Sequence, residues 1–167
     1  MEQNFPQKSK IVVFIAGLLV AMLVVFVVLL IPMNRARQAQ FTVDALGKFI
    51  EAYQTLMQRE VMSIEDLPDF LLISRNEGFK LGSTDLKSGY FGGYIYDFES
   101  IGEGQFVISA SPLGLFSPKK EFGITHEGIL RVNELNVDGQ PDGFDEVGSW
   151  QPIERSLSIR TQWEPNY

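Results

Sequence analysis

Hydrophobic and polar positions change texture three times along this chain. From Ile11 to Ile31 run 21 uncharged, mostly apolar residues. As a helix rising ~1.5 Å per residue they span about 32 Å, which matches the hydrocarbon core of a bilayer. No polar face interrupts them, so a helix buried in a soluble core fits poorly. A secretory signal has a shorter apolar run and a small-x-small cleavage site. Here the run is longer, and no such site follows it. The reading is a membrane anchor bounded by Ile11 and Ile31.

The second texture begins at Pro32. The stretch "MNRARQAQFTVDALGKFIEAYQTLMQREVM" keeps a helical period. Phe41, Leu46, Phe49, Tyr53, Leu56 and Met57 recur mostly at three- and four-residue steps and predict one apolar stripe. Arg35, Gln38, Asp44, Lys48 and Glu51 fall largely elsewhere. Pro32 then lies inside a helix of roughly 50 residues and kinks it rather than ending it. A short second helix is predicted at "SIEDLPDFLLIS", where Ser63 and Asp66 have the spacing of a capping box.

After Gly78 the texture is that of strands and turns. "YIYDFES" and "QFVISA" alternate in the strand period, with "IGEG" as the turn between them. "EFGIT", "HEG" and "ILRV" read as a second hairpin. The expected fold class is α+β: a long N-terminal helix, transmembrane and then amphipathic, packed on a small four-stranded antiparallel sheet. The organisation is a tail (1–10), a transmembrane helix (11–31), a helix continuing into the head (32–62) and an α+β head (63–167). The head carries an acidic loop at 134–149.

Charge narrows the partners. Lys8, Lys10, Arg35 and Arg37 flank the apolar run, two on each side, so the positive-inside count is nearly balanced. A short N-terminal tail in the cytoplasm leaves the large acidic head outside. From Gln38 onward 10 basic and 20 acidic residues give −10, a field that repels nucleic acid. The chain has no cysteine, which excludes disulfides, thiolate metal sites and a cysteine nucleophile.

This order of elements resembles the type IV pilins and type II secretion pseudopilins. Counting Ile11 as one, Pro32 is the 22nd residue, where that family's mature helix typically carries proline. "MNRARQAQFTVDALGKFIEAYQ" is similar to the family's Arg- and Ala-rich helix, and "YIYDFESIGEGQFVISASP" followed by "EFGITHEGILRV" is similar to its sheet pattern. The likeness covers most of residues 11–132. It implies a pilin-like fold and an extracytoplasmic head on the bacterial inner membrane. The departures are specific. Lys10 stands where the family's leader peptidase needs glycine, Ile11 where the mature chain starts with Phe, and Ile15 where a glutamate directs assembly. A carboxylate in lipid is costly and kept for a task. A chain without it, and without the cleavage glycine, is expected to keep its tail and remain a fixed tether.

Candidate chemistry is sparse. In "ELNVDGQPDGFDE" the residues Asn136, Asp138, Asp142 and Asp145 resemble a calcium loop of the thrombospondin type-3 kind, since Ca²⁺ takes closely spaced oxygens on a turning backbone. A solvated Asp-Gly turn explains the same residues. His126, the one histidine, beside Glu127 is half of an acid–base pair or an exposed turn residue. "GYFGGY" lacks the lysine and serine of a phosphate-binding loop and reads as a flexible entry to the sheet. No Gly-x-Ser-x-Gly pattern is present, so catalysis is not expected. Trp150, Trp163 and Tyr167 are docking candidates if exposed, and edge-strand packing residues otherwise. Gly17 and Ala21, four apart in the anchor, form a small-xxx-small pair that suits a neighbouring helix, or a chance pair.

Three readings remain. The first is a non-catalytic accessory subunit, anchored in the lipid bilayer and docking on other membrane protein subunits. The second is a minor pseudopilin of a secretion or pilus machine, and the third a membrane-tethered calcium-binding module.

Overall fold

The structure, a computed structural model, describes residues 7–68, 70–74, 79–114, 119–134, 140 and 142–153. One helix dominates it. Helix α1 (Gln7–Val25) passes through a single π-helical turn (Phe26–Leu30) into α2 (Ile31–Met57). The π-turn has a local cause. Pro32 has no N–H to give, and its ring presses on the carbonyl four residues back. The wider turn lets the Ile31 N–H bond to Phe26 O instead, so the helix continues without a break. The helix therefore continues through Pro32, as expected. The most apolar 18-residue window has a mean hydropathy of 3.4, and none of it is buried. By length and composition this one helix is able to cross a membrane.

The helix ends at Met57, with Gln58 in the left-handed conformation (φ 49°, ψ 37°). A 3₁₀ turn (Ile64–Asp66) follows, capped as the Ser63–Asp66 spacing predicts: Asp66 Oδ2 accepts the Ser63 N–H at 3.1 Å. The rest of "SIEDLPDFLLIS" is not helical. Leu71–Ser74 is strand β1, paired antiparallel with β2 (Phe79–Gly82) in a separate two-stranded sheet. Pro68 explains the difference, because it removes a donor and pushes the residue before it out of the helical region.

The main sheet is an antiparallel meander of six strands rather than four. In order they are β3 (Tyr90–Phe91), β4 (Tyr94–Gly102), β5 (Gln105–Pro112), β6 (Glu121–Thr125), β7 (Leu130–Asn133) and β8 (Gln151–Pro152). The four longer strands are those expected from the alternation. The two added edge strands have two residues each, too short to show a period. The supposedly flexible "GYFGGY" is a tight hairpin: β3 pairs with β4 around Gly92 and Gly93, whose φ values of 61° and 84° suit a two-residue turn. A short helix α3 (Ser83–Lys87) precedes β3.

One face of the sheet packs on α2. Phe106, Ile108 and Ala110 of β5, with Phe122 and Ile124 of β6, join Phe41, Leu46 and Phe49 in one core. Two parts of the expected stripe behave otherwise. Leu56 and Met57 are 72% and 60% exposed, because they lie on the last turn, beyond the sheet. Asp44, expected on the polar side, is 3% exposed. Helix residues 41–47 are buried on every side, since Val61, Leu67, Leu81 and Leu86 add a second wall to the core.

The opposite face of the sheet is also covered. Helix α4 (Phe144–Ser149) lies over it, and Val147 and Trp150 pack on Val107. Every residue of β6 is therefore buried.

Candidate functional site

Beyond the apolar segment, three places on the described surface bring polar or exposed apolar groups of distant parts of the chain together. The first is the end of the helix farthest from the apolar segment. Leu56, Met57, Met62 and Ile101 are all exposed there. Two contacts bring the turn between β4 and β5 to the chain that leaves α2. Gly104 N–H donates to Glu60 Oε1 at 3.0 Å, and Ser100 Oγ lies 3.6 Å from Met62 Sδ. Clustered apolar exposure of this kind marks a contact surface more often than scattered single residues do.

The second place is a cleft of about 630 Å³ where the helix meets the bottom of the sheet. Val28, Leu29, Pro32 and Met33 form its helix side, with Arg37 and Gln40 one to two turns higher. Lys120, Glu134 and Ile153 are among the head residues facing them. Lys120 Nζ and Glu134 Oε1 are 2.5 Å apart. Arg37 is exposed and makes no ion pair with any described residue. Arg35 is used differently: its side chain crosses Gly93, where a β-carbon would lie 3.1 Å from Arg35 Cδ. This arginine packs across the β3–β4 hairpin. The two arginines that follow the apolar segment thus have different surroundings, which a count of charges does not separate.

The third is the region of the acidic loop. Asn136 and Asp138 lie outside the described residues. Asp142 donates its backbone N–H to Ser109 Oγ at 3.3 Å, which fastens the loop's end to the outer face of β5. Asp145 is exposed in the first turn of α4, and Glu146 Oε2 accepts the Gly143 N–H at 3.0 Å. Glu146 is thus part of a helix cap. Among the described residues no group of three or more His, Asp or Glu side chains is placed to hold a metal ion.

The aromatic docking candidates divide. Trp163 and Tyr167 lie outside the described residues. Trp150 is buried against Val147 and Val107 and covers Gly123, so the packing alternative applies to it and it is not a docking residue. The signal in the sequence was Gly123 itself. A glycine within a strand marks a place where something approaches the backbone closely.

His126 and Glu127 do not act on each other. The His126 ring stacks on Phe144, with centroids 5.6 Å apart and planes 14° apart, and Glu127 Oε2 lies 3.4 Å from Arg131 Nη2. The anchor residues Ile11, Gly17 and Ala21 lie on the exposed part of the helix, and no other described residue lies within 4 Å of the space above Gly17. Ile31 and Pro32 mark the first half-buried positions of α2.

Comparison with known proteins returns nothing: no family model matches the chain, and no curated protein or solved structure matches it significantly.

Proposed function

We propose that this chain is a single-pass, membrane-anchored and non-catalytic accessory subunit, whose head stands outside the cytoplasmic membrane of a bacterium and docks on a larger membrane assembly. The observation that carries the reading is the unbroken helix from Gln7 to Met57. Its lower part has an apolar window of 18 residues with none buried, which suits lipid and little else. Its upper part is the centre of the head's core. Anchor and head are therefore joined by a rigid rod and not by a flexible linker. The rod carries the apolar cluster around Leu56 and Met62 about 40 Å above Ile31, at ~1.5 Å per residue. An arrangement that fixes a contact surface at a set height suits a structural role.

The short tail with Lys8 and Lys10 belongs in the cytoplasm, and the acidic head in the periplasm. In support of a pilin-like relationship stand Pro32 at the 22nd position from Ile11 and the α+β layout of helix on antiparallel sheet. Lys10 and Ile15, in place of the cleavage glycine and assembly glutamate, favour a fixed tether over a polymerising subunit.

Purification of the full chain in mild detergent, with identification of co-purifying proteins, tests this. A defined membrane partner lost on Leu56→Glu or Met62→Glu substitution is the expected result. A chain recovered only as a lone monomer overturns the accessory role. Mass spectrometry of the native N-terminus separates the second reading, since a mature chain starting at Ile11 means a processed minor pseudopilin.

A further inference from the structure

Two chemistries meet in the cleft at the base of the head. Val28, Leu29 and Met33 give it an exposed apolar wall that continues the surface of the anchor. Arg37 and Lys120 give it a cationic rim. With Glu134 beside Lys120, these three side chains sum to +1, although the chain from Gln38 onward carries −10. A cationic site maintained against that field calls for an anion.

Height identifies which anion. Arg37 lies six residues past Ile31, or ~9 Å along the axis. The polar layer of a bilayer adds about 5–8 Å to each side of the hydrocarbon core. The Arg37 backbone therefore stands at the outer edge of the headgroup layer, and its long side chain, tilted toward the helix N-terminus, reaches down into it, while Val28 and Leu29 stand at the end of the acyl region. The cleft's volume of about 630 Å³ is within the usual range for a site that encloses a small organic group.

We propose that this cleft seats one anionic phospholipid from the head-side leaflet. Its phosphodiester lies between Arg37 and Lys120, and the glycerol end of one acyl chain lies against Val28, Leu29 and Met33. The proposal rests on the membrane-anchor reading above. Arginine suits a phosphate because its planar fork donates two parallel hydrogen bonds. Arg37 has its fork available, whereas Lys120 already shares Glu134 and contributes mainly charge. The bound lipid would hold the bottom of the sheet down on the bilayer.

The test uses the full chain, delipidated and then exchanged into micelles holding equal amounts of phosphatidylglycerol and phosphatidylcholine. Native mass spectrometry counts the lipids retained. One phosphatidylglycerol per chain is expected in preference to phosphatidylcholine. Arg37→Gln is expected to lower that preference about fivefold, the effect of one cation at a membrane surface. Arg59→Gln removes the same charge beyond the far end of the helix and is expected to leave the preference unchanged. Equal retention of both lipids, an equal loss in the Arg59→Gln protein, or a lipid-free dimer overturns the proposal. Alkaline carbonate extraction of native membranes separates the two failures. A chain released into the soluble fraction overturns the anchor reading as well, and a retained chain without lipid preference overturns the lipid site alone.

Discussion

Gly47 of the long helix faces Ile124 of β6 so closely that a β-carbon on the glycine would lie 2.9 Å from both Cδ1 and Cγ2 of the isoleucine. The absence of a side chain at this position sets how near helix and sheet can come. Gly47→Ala would gain ~1 kcal/mol of helix propensity and lose about 1–3 kcal/mol to overpacking. A net loss of up to ~2 kcal/mol is expected in thermal or denaturant unfolding. Ile124→Val removes one of the two opposing carbons. The double substitution is therefore expected to be less destabilising than the sum of the singles, with a coupling energy read from the cycle.

The opposite face of the same strand is tighter still. A β-carbon on Gly123 would come within 2.5 Å of Val147 Cγ1 and 3.1 Å of the Trp150 ring. The new carbon and Val147 cannot both keep their places, and the Trp150 ring has little room to give, so Gly123→Ala is expected to lift α4 from the sheet. In a Trp163→Phe background Trp150 is the sole tryptophan, and its fluorescence is expected to shift to the red as it meets water. An unchanged spectrum would mean that α4 adjusts without leaving.

Much of this helix–sheet arrangement was legible from periodicity. Phe41, Leu46 and Phe49 gave the inner face of α2, and "YIYDFES" through "ILRV" gave four of the six strands. What was not legible depends on tertiary context. Asp44 reads as a surface residue, and only the wall formed by Val61, Leu67, Leu81 and Leu86 makes residues 41–47 buried all round. The same holds for the cleft, which joins Val28 and Arg37 to Lys120, more than 80 residues away in sequence. A lone lysine pair in "SPKKEF" carries no sign of that contact.

The burial of Asp44 gives Lys48 a structural role. Lys48 Nζ lies 2.5 Å from Asp44 Oδ2, one helical turn away, while Asp44 Oδ1 has no hydrogen-bond partner among the described residues. Lys48→Met leaves a buried carboxylate without its counter-charge. Breaking a fully buried pair costs about 3–5 kcal/mol, and the partial exposure of Lys48 reduces this to an expected ~1–3 kcal/mol. Adding Asp44→Leu is expected to recover most of the loss, because two apolar groups then replace the pair. Urea unfolding of the three proteins measures both effects.

The core also contains a phenol pair that predicts an alkaline limit. Burial pushes the hydroxyls of Tyr94 and Tyr96 well above the usual tyrosine range, chiefly because a phenolate there would lose its hydration. Tyr94 donates to Lys120 O at 3.1 Å. The Tyr96 hydroxyl has no hydrogen-bond partner among the described residues; Thr42 lies beside it but donates to Gln38 O at 2.8 Å, so it relieves little. A raised pKa means that the folded state holds its proton where the unfolded chain has lost it. Stability is then complete below the unfolded value of ~10 and falls as pH rises past it. Tyr96→Phe removes one titrating group and an unsatisfied hydroxyl together. It is expected to leave stability at pH 7 unchanged or slightly improved, and to move the midpoint of alkaline unfolding upward.

The π-turn below Pro32 sets the azimuth of the whole molecule. Each residue of a helix advances its face by about 100°, so the compass direction in which the head looks is determined by the number of residues between Gly17 and Phe41. A subunit seated against the Gly17–Ala21 side of the anchor would find the head always turned the same way, as a key's teeth are fixed relative to its bow. One inserted residue near Met33 would leave the apolar run, core and charges intact and still point every head-side contact in the wrong direction.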